Sequence, residues 1–237
     1  MTLSLFKKSP WLLMAFITFL AVSCSDDKDN TETTGHYKLM VSDYSDSYAQ
    51  NSELADVTTN IIAIFSPEQT GFESTSEDAN KRWKNACDSL LKTNWIEQDV
   101  MLGDTTWIEV ALVMEQDGKV GNTIVNRRRV EYPCFTFSFR TDNSSANYAL
   151  NVKAQQEVEN ILNTFYAEGQ SGFAAKLSDA KNILQTAGDS ILKHNWKRND
   201  LAIQSNSSFT LQLTGGTASL AKPWPVYASK EITLPHY

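Results

Sequence analysis

The sequence predicts an α+β fold: an internal duplication of a strand-helix-helix-strand-strand unit, with a mostly antiparallel sheet and helix pairs packed on one face. Three observations predict it. The octapeptide Asp88-Ser89-Leu90-Leu91-Lys92-Thr93-Asn94-Trp95 returns 101 residues later as Asp189-Ser190-Ile191-Leu192-Lys193-His194-Asn195-Trp196. Each half opens on the period-two alternation of a half-buried strand, Tyr37, Leu39 and Val41 in the first and Phe135, Phe137 and Phe139 in the second. A helical stripe of Leu54, Thr58, Ile61, Ile62 and Phe65 recurs as Ala154, Val158, Ile161, Leu162 and Phe165, 100 residues on.

Before the first strand, Lys7 and Lys8 precede an apolar run from Trp11 to Val22, which ends at Ser23-Cys24. About a dozen apolar residues are too few to cross a bilayer as a helix but match the apolar region of a signal peptide. Leu20-Ala21-Val22-Ser23-Cys24 resembles the lipobox of bacterial lipoproteins, with Ala21 where that family has Leu and Leu20 one position further back. The resemblance implies cleavage after residue 23 and lipid attachment at Cys24, giving an outer-membrane lipoprotein. The alternative is an ordinary secretory peptide cut between Ala21 and Ser23. The acidic run Ser25-Asp26-Asp27-Lys28-Asp29 is similar to the surface-export signal of Bacteroidota lipoproteins, which implies display facing the cell surface. Residues 24–35 are polar throughout behind the Cys and read as a flexible tether reaching roughly 17–20 Å. The halves are then 36–132 and 133–237, with Pro133 at the junction, expected to pack as one body.

Charge narrows the partners. The chain carries −7, and loss of the leader's two lysines takes it to −9. A field of that sign repels polyanions, so the reading is no nucleic acid, with membrane contact through the N-terminal lipid alone. Cys87 and Cys134 remain after Cys24 is assigned to lipid, and an oxidising envelope leaves both a disulfide and two thiols open.

The second helix of each half runs from Ser76 to Thr93 and from Ala174 to His194, with Asn94 and Asn195 suited to a left-handed cap before a core Trp. A strand from Thr106 to Glu115 matches one from Ser208 to Leu213, and Asp117-Gly118 and Gly215-Gly216 supply hairpin turns. Return strands follow over Val120 to Tyr132 and Val226 to Leu234.

The doubled motif invites a site framed by Asp88 and Asp189, yet its Leu pair and Trp have core spacing, and Lys92 and Lys193 suit a helix C-terminus. Ser190 and His194 share a helix face, but the first half has Thr93 in place of the base and no nucleophile elbow surrounds the Ser. Three His, without H-E-x-x-H or C-x-x-C, support no metal site, and nothing calls for a cofactor. No catalytic set emerges. The residues left for a ligand lie where the halves differ. Trp107 sits on the strand face opposite Ile108 and Val110; Arg127 and Arg129 share a face of the return strand, unmatched by Ala228, Ser229 and Lys230; Trp224 and Tyr227 follow the second turn. Aromatic residues beside Arg favour a protein or glycan ligand bound on an exposed sheet face. The alternative is a hydrolase of unfamiliar type with Glu68 and Glu168 in the cleft between halves.

Overall fold

A computed structural model describes residues 34–67, 70–102, 106–115, 123–197, 200–217, 220 and 222–236. The leader, Cys24, residues 25–33 of the tether, Glu68 and the Asp117-Gly118 turn lie outside them, and the expected end of the tether moves back two residues because Thr34 and Gly35 already belong to the first strand.

β1 (Thr34–Tyr44) is laid down by the alternation that puts Tyr37 and Leu39 inside. Two helices follow it. Ser45 caps the single turn α1 (Asp46–Ala49), its Oγ accepting from the Tyr48 N–H, and Asn51 caps α2 (Ser52–Phe65), its Oδ1 accepting from the Leu54 N–H at 3.0 Å. β2 (Phe72–Thr75) then pairs with the start of β1, Tyr37 opposite Phe72. Gly71 permits that approach, since its φ is +59° and a Cβ there would meet the Tyr37 carbonyl oxygen at 2.5 Å. α3 (Ser76–Lys92) leads to β3 (Trp107–Glu115) and β4 (Thr123–Glu131).

The second half runs β5 (Thr136–Asp142), α4 (Ala146–Ala149), α5 (Val152–Asn163), α6 (Leu177–Lys193), β6 (Ser208–Gly216) and β7 (Val226–Thr233). Ser145 and Asn151 cap α4 and α5 as Ser45 and Asn51 do in the first half. The result is an α+β fold with two antiparallel sheets, ordered β2-β1-β3-β4 and β5-β6-β7, and six helices among the described residues. None of those helices is long and apolar enough to cross a membrane.

Each sheet buries one face under its helices. Leu54 and Ile62 of α2 and Ala79, Trp83, Ala86 and Leu90 of α3 meet Leu39, Ile108, Val110 and Leu112 in one core. Ala154, Val158 and Leu162 of α5 and Leu184 and Ile191 of α6 meet Phe137, Leu211 and Leu213 in the other. Cys87 and Cys134 form no disulfide with each other; Cys87 is buried on α3, and burial pushes its pKa up to about 11.

Several expected details change. β2 and the two single-turn helices are additions, and α6 starts at Leu177, three residues beyond the expected Ala174. Gly215 and Gly216 do not turn; they extend β6 opposite Phe137 and Thr136. A Cβ on Gly215 would come within 2.6 Å of the Phe135 ring and one on Gly216 within 2.7 Å of the Trp224 ring, so close packing on the strand backbone demands them. Neither Asn94 nor Asn195 takes a left-handed conformation; the helices end on extended Thr93 and His194 instead. Here the Trp caps the helix. The Trp95 indole N–H donates to the Leu90 carbonyl at 3.0 Å and that of Trp196 to the Ile191 carbonyl at 2.7 Å, satisfying acceptors that a helix end leaves open.

α6 has Lys176 at its N-cap position and no side-chain cap of its own. Asp99, from the turn after α3, supplies it across the halves: its Oδ1 accepts from the Ser178 N–H at 2.7 Å. Lys176 pairs with Glu53 beside it, and Ile96 packs against the second core. The hydrogen bonds from Ser178 hold the Asp99 carboxyl below its ordinary pKa, with the nearby Lys176 charge adding to them. A lowered folded pKa gives stability that is present above about pH 4 and lost as pH falls through the folded value. Asp99→Gly suits the left-handed φ of +55° and removes only the cap. It is expected to cost about 0.5–1 kcal/mol at pH 7 and to shrink the stability change between pH 5 and pH 2, measured by urea unfolding across that range.

Candidate functional site

Along β3, Ile108, Val110 and Leu112 point to the helices, so Trp107, Glu109, Ala111 and Val113 point to the opposite face of the four-stranded sheet. Register then decides their company. Trp107 lies opposite Glu131, Glu109 opposite Arg129 and Ala111 opposite Arg127, so Arg127 and Arg129 share the face of Trp107. Arg129 stacks on it, with the guanidinium carbon 4.0 Å from the Trp107 ring centroid and its Nε 3.1 Å from Glu131.

The arrangement is held from behind. The Trp107 N–H donates to Ser45 Oγ at 3.1 Å, and its carbonyl accepts from the Ser45 N–H at 3.0 Å, so the α1 cap also fixes the start of β3. A bulge between Val41 and Asp43 turns Ser42 across to Glu109, whose Oε1 accepts from Ser42 Oγ at 2.9 Å and lies 4.0 Å from Arg127. Short residues form the floor: Ala111 runs between Met40 and Arg127, and Val113 between Lys38 and Ile124. Met40, Ile124, Arg127 and Arg129 are exposed at its sides. Where β1 meets β2, His36 lies between Glu73 at 2.8 Å and Glu115 at 3.4 Å, and the Glu73 hydrogen bond raises its pKa. The face is a shallow trough with an aromatic-cation stack at one end and paired charges along it.

No family model, curated protein or solved structure matches this chain. Any function must therefore be read from the side chains themselves.

Trp224 and Tyr227 do not stand together. A bulge between Leu213 and Thr214 places Tyr227 toward the second core, where its ring meets Phe135 and Phe137 edge-on at 5.9 and 5.8 Å. Trp224 lies on the other side of the sheet, over Gly216.

The repeated aspartates find structural work. Asp88 is 2.9 Å from Arg128, and Asp189 is 2.5 Å from Lys230, each tying a helix to the return strand of its sheet. Arg128 lies opposite Val110 and Lys230 opposite Leu211. Lys230 therefore takes the register position of Arg128, while the positions of Arg127, Arg129 and Trp107 hold Ser229, Glu231 and Ser208. The Trp107–Arg129 stack has no equivalent at Ser208 and Glu231.

The other chemistries do not assemble. Ser190 Oγ donates to the Thr186 carbonyl at 2.9 Å, and His194 lies 2.8 Å from Glu157, so hydroxyl and imidazole serve separate partners. Glu168 is exposed on the turn after α5. Among the described residues no three His, Cys, Asp or Glu side chains gather as a metal site requires.

Proposed function

We propose that this chain is a non-catalytic, lipid-anchored lipoprotein of the bacterial outer membrane, facing the cell surface, that binds a protein partner through the outer face of its four-stranded sheet. The Trp107–Arg129 stack carries the reading. Trp and Arg dominate the energetic centres of protein interfaces, and here they lie on a face that also carries exposed Met40 and Ile124 further along the strands. Glu109, Glu131 and Arg127 supply the polar rim that fixes register and orientation. Anchoring at Cys24 through a tether would hold this face clear of the headgroups.

The same reading includes an origin by duplication. The shared octapeptide, the Ser and Asn caps, the indole caps and the Asp88–Arg128 and Asp189–Lys230 pairs support it. A partner surface confined to one half is what divergence after duplication would leave.

Photo-crosslinking from Met40 and Ile124 on intact cells identifies the envelope protein that meets this face, and affinity for it is then measured with purified chains. Trp107→Ala and Arg129→Ala are each expected to weaken binding at least ~30-fold, the loss typical of a hot-spot residue, without lowering the melting temperature. Unchanged affinity in both variants would overturn the interface. Surface display fails separately, if protease added to intact cells leaves the chain uncut.

A further inference from the structure

On the outer face of the three-stranded sheet, Trp224 walls a depression of about 360 Å³ together with Ser138, Arg140, Thr214 and Lys222. Among the described residues its lining holds two cations and no carboxylate, in a chain whose net charge is −7. Such a hollow selects an anion.

The neutral groups narrow it further. Thr214 Oγ1 donates to the Ser138 carbonyl at 3.2 Å and lies 3.1 Å from Ser138 Oγ, so Ser138 directs its proton to Thr214 and keeps its lone pairs for an incoming hydroxyl. Arg140 is only loosely tied to Asp142, at 3.5 Å, and its side chain is 45% exposed, which leaves guanidinium donors for a carboxylate. The Lys222 ammonium is 5.0 Å from the Trp224 ring centroid, and the Trp224 indole N–H donates to the Leu220 carbonyl at 3.2 Å. Gly216 lets the ring settle on the strand, because any side chain there would strike it. An apolar wall, hydroxyl acceptors and a guanidinium within one hollow of this volume suit a single sugar ring bearing a carboxylate.

We infer that this depression binds a single carboxylated sugar unit, such as a uronic acid, independently of the protein-binding face.

The test is a titration of the ¹⁵N-labelled mature chain with glucuronate, glucose and benzoate, read at its five Trp indole resonances, Trp11 having left with the leader, with Trp224 assigned by Trp224→Phe. Glucuronate is expected to shift the Trp224 signal saturably and leave Trp107 unmoved. Glucose should need at least ten times the concentration. Arg140→Gln is expected to weaken glucuronate at least tenfold, and Gly216→Val, which displaces the ring but keeps both cations, should weaken it to a similar extent. Equal response to glucose would overturn charge recognition, benzoate matching glucuronate would overturn the sugar, and no saturable shift would overturn the site. Dispersion of the other indole signals verifies that each variant is folded. Trp107→Ala should leave the glucuronate response intact, so this site and the protein interface fail or stand separately.

Discussion

Trp196→Ala is expected to destabilise the fold by about 3–5 kcal/mol, the cost of emptying a large aromatic site in a close-packed core. Trp196 is 2% exposed and packs with Leu184, Ile191 and Leu234 in the second core. Its indole N–H also holds the Ile191 carbonyl, so truncation leaves a helix-end acceptor without its partner. Trp196→Phe separates the two contributions by keeping most of the apolar volume and removing the donor; about 1–2 kcal/mol is expected for it. Urea unfolding measures both. For a body of this size the alanine variant should melt roughly 6–20 °C lower, at about 2–4 °C per kcal/mol. A melting temperature within 2 °C of the parent would show that the octapeptide is not a structural core element and would reopen it as a functional motif.

How far that core could be read from the sequence depends on element length. α2 and α3 announce themselves because four or five turns are enough to express a helical stripe, and β1 and β3 because each carries a short run of alternation, Tyr37 to Val41 and Trp107 to Val110. β2 has four residues, and α1 and α4 have one turn each, too short for any period; only the Ser and Asn caps mark the helices, and those residues are equally at home in loops. Gly215-Gly216 misleads for a different reason. A Gly pair between strands has the chemistry of a turn, and only the rings of Phe135 and Trp224 lying over the strand explain it otherwise.

Register limited the reading of the site. Alternation alone placed Trp107, Arg127 and Arg129 on solvent faces, but the stack depends on Glu109 lying opposite Arg129, a cross-strand fact. Bulges interrupt the β3–β4 and β6–β7 ladders, and the return strands stand 102 residues apart while the octapeptides stand 101 apart. That one-residue slip concealed the matching register positions of Arg128 and Lys230. Asp99 was equally hidden, because nothing local to the Lys176 end of α6 shows that its cap comes from the other half.

The buried hydroxyl pair of the first core gives the second large prediction. Thr58 is fully buried and lies 2.8 Å from the hydroxyl of Tyr132, which is 5% exposed and packed edge-on against Trp95. Desolvation holds the Tyr132 phenol neutral, far above its ordinary pKa, so the pair is a neutral hydrogen bond at any physiological pH. Thr58→Val keeps the shape and deletes the partner, leaving the Tyr132 hydroxyl buried without it; about 1–3 kcal/mol is expected. Tyr132→Phe should cost less, about 0.5–1.5 kcal/mol, because the Thr58 hydroxyl can turn to a carbonyl of its own helix. The second half shows what the double variant resembles. Val158 stands where Thr58 does, and Leu234, whose N–H donates to the Ser207 carbonyl as that of Tyr132 does to Thr106, stands where Tyr132 does; both are buried and wholly apolar. Thr58→Val with Tyr132→Phe should therefore recover much of the loss and unfold with a free energy well above that expected from adding the two single effects. A coupling of about 1 kcal/mol in the double-mutant cycle is expected. Strict additivity would mean that the hydroxyls stabilise the core independently, and the hydrogen bond between them would then contribute nothing to the difference between the two halves.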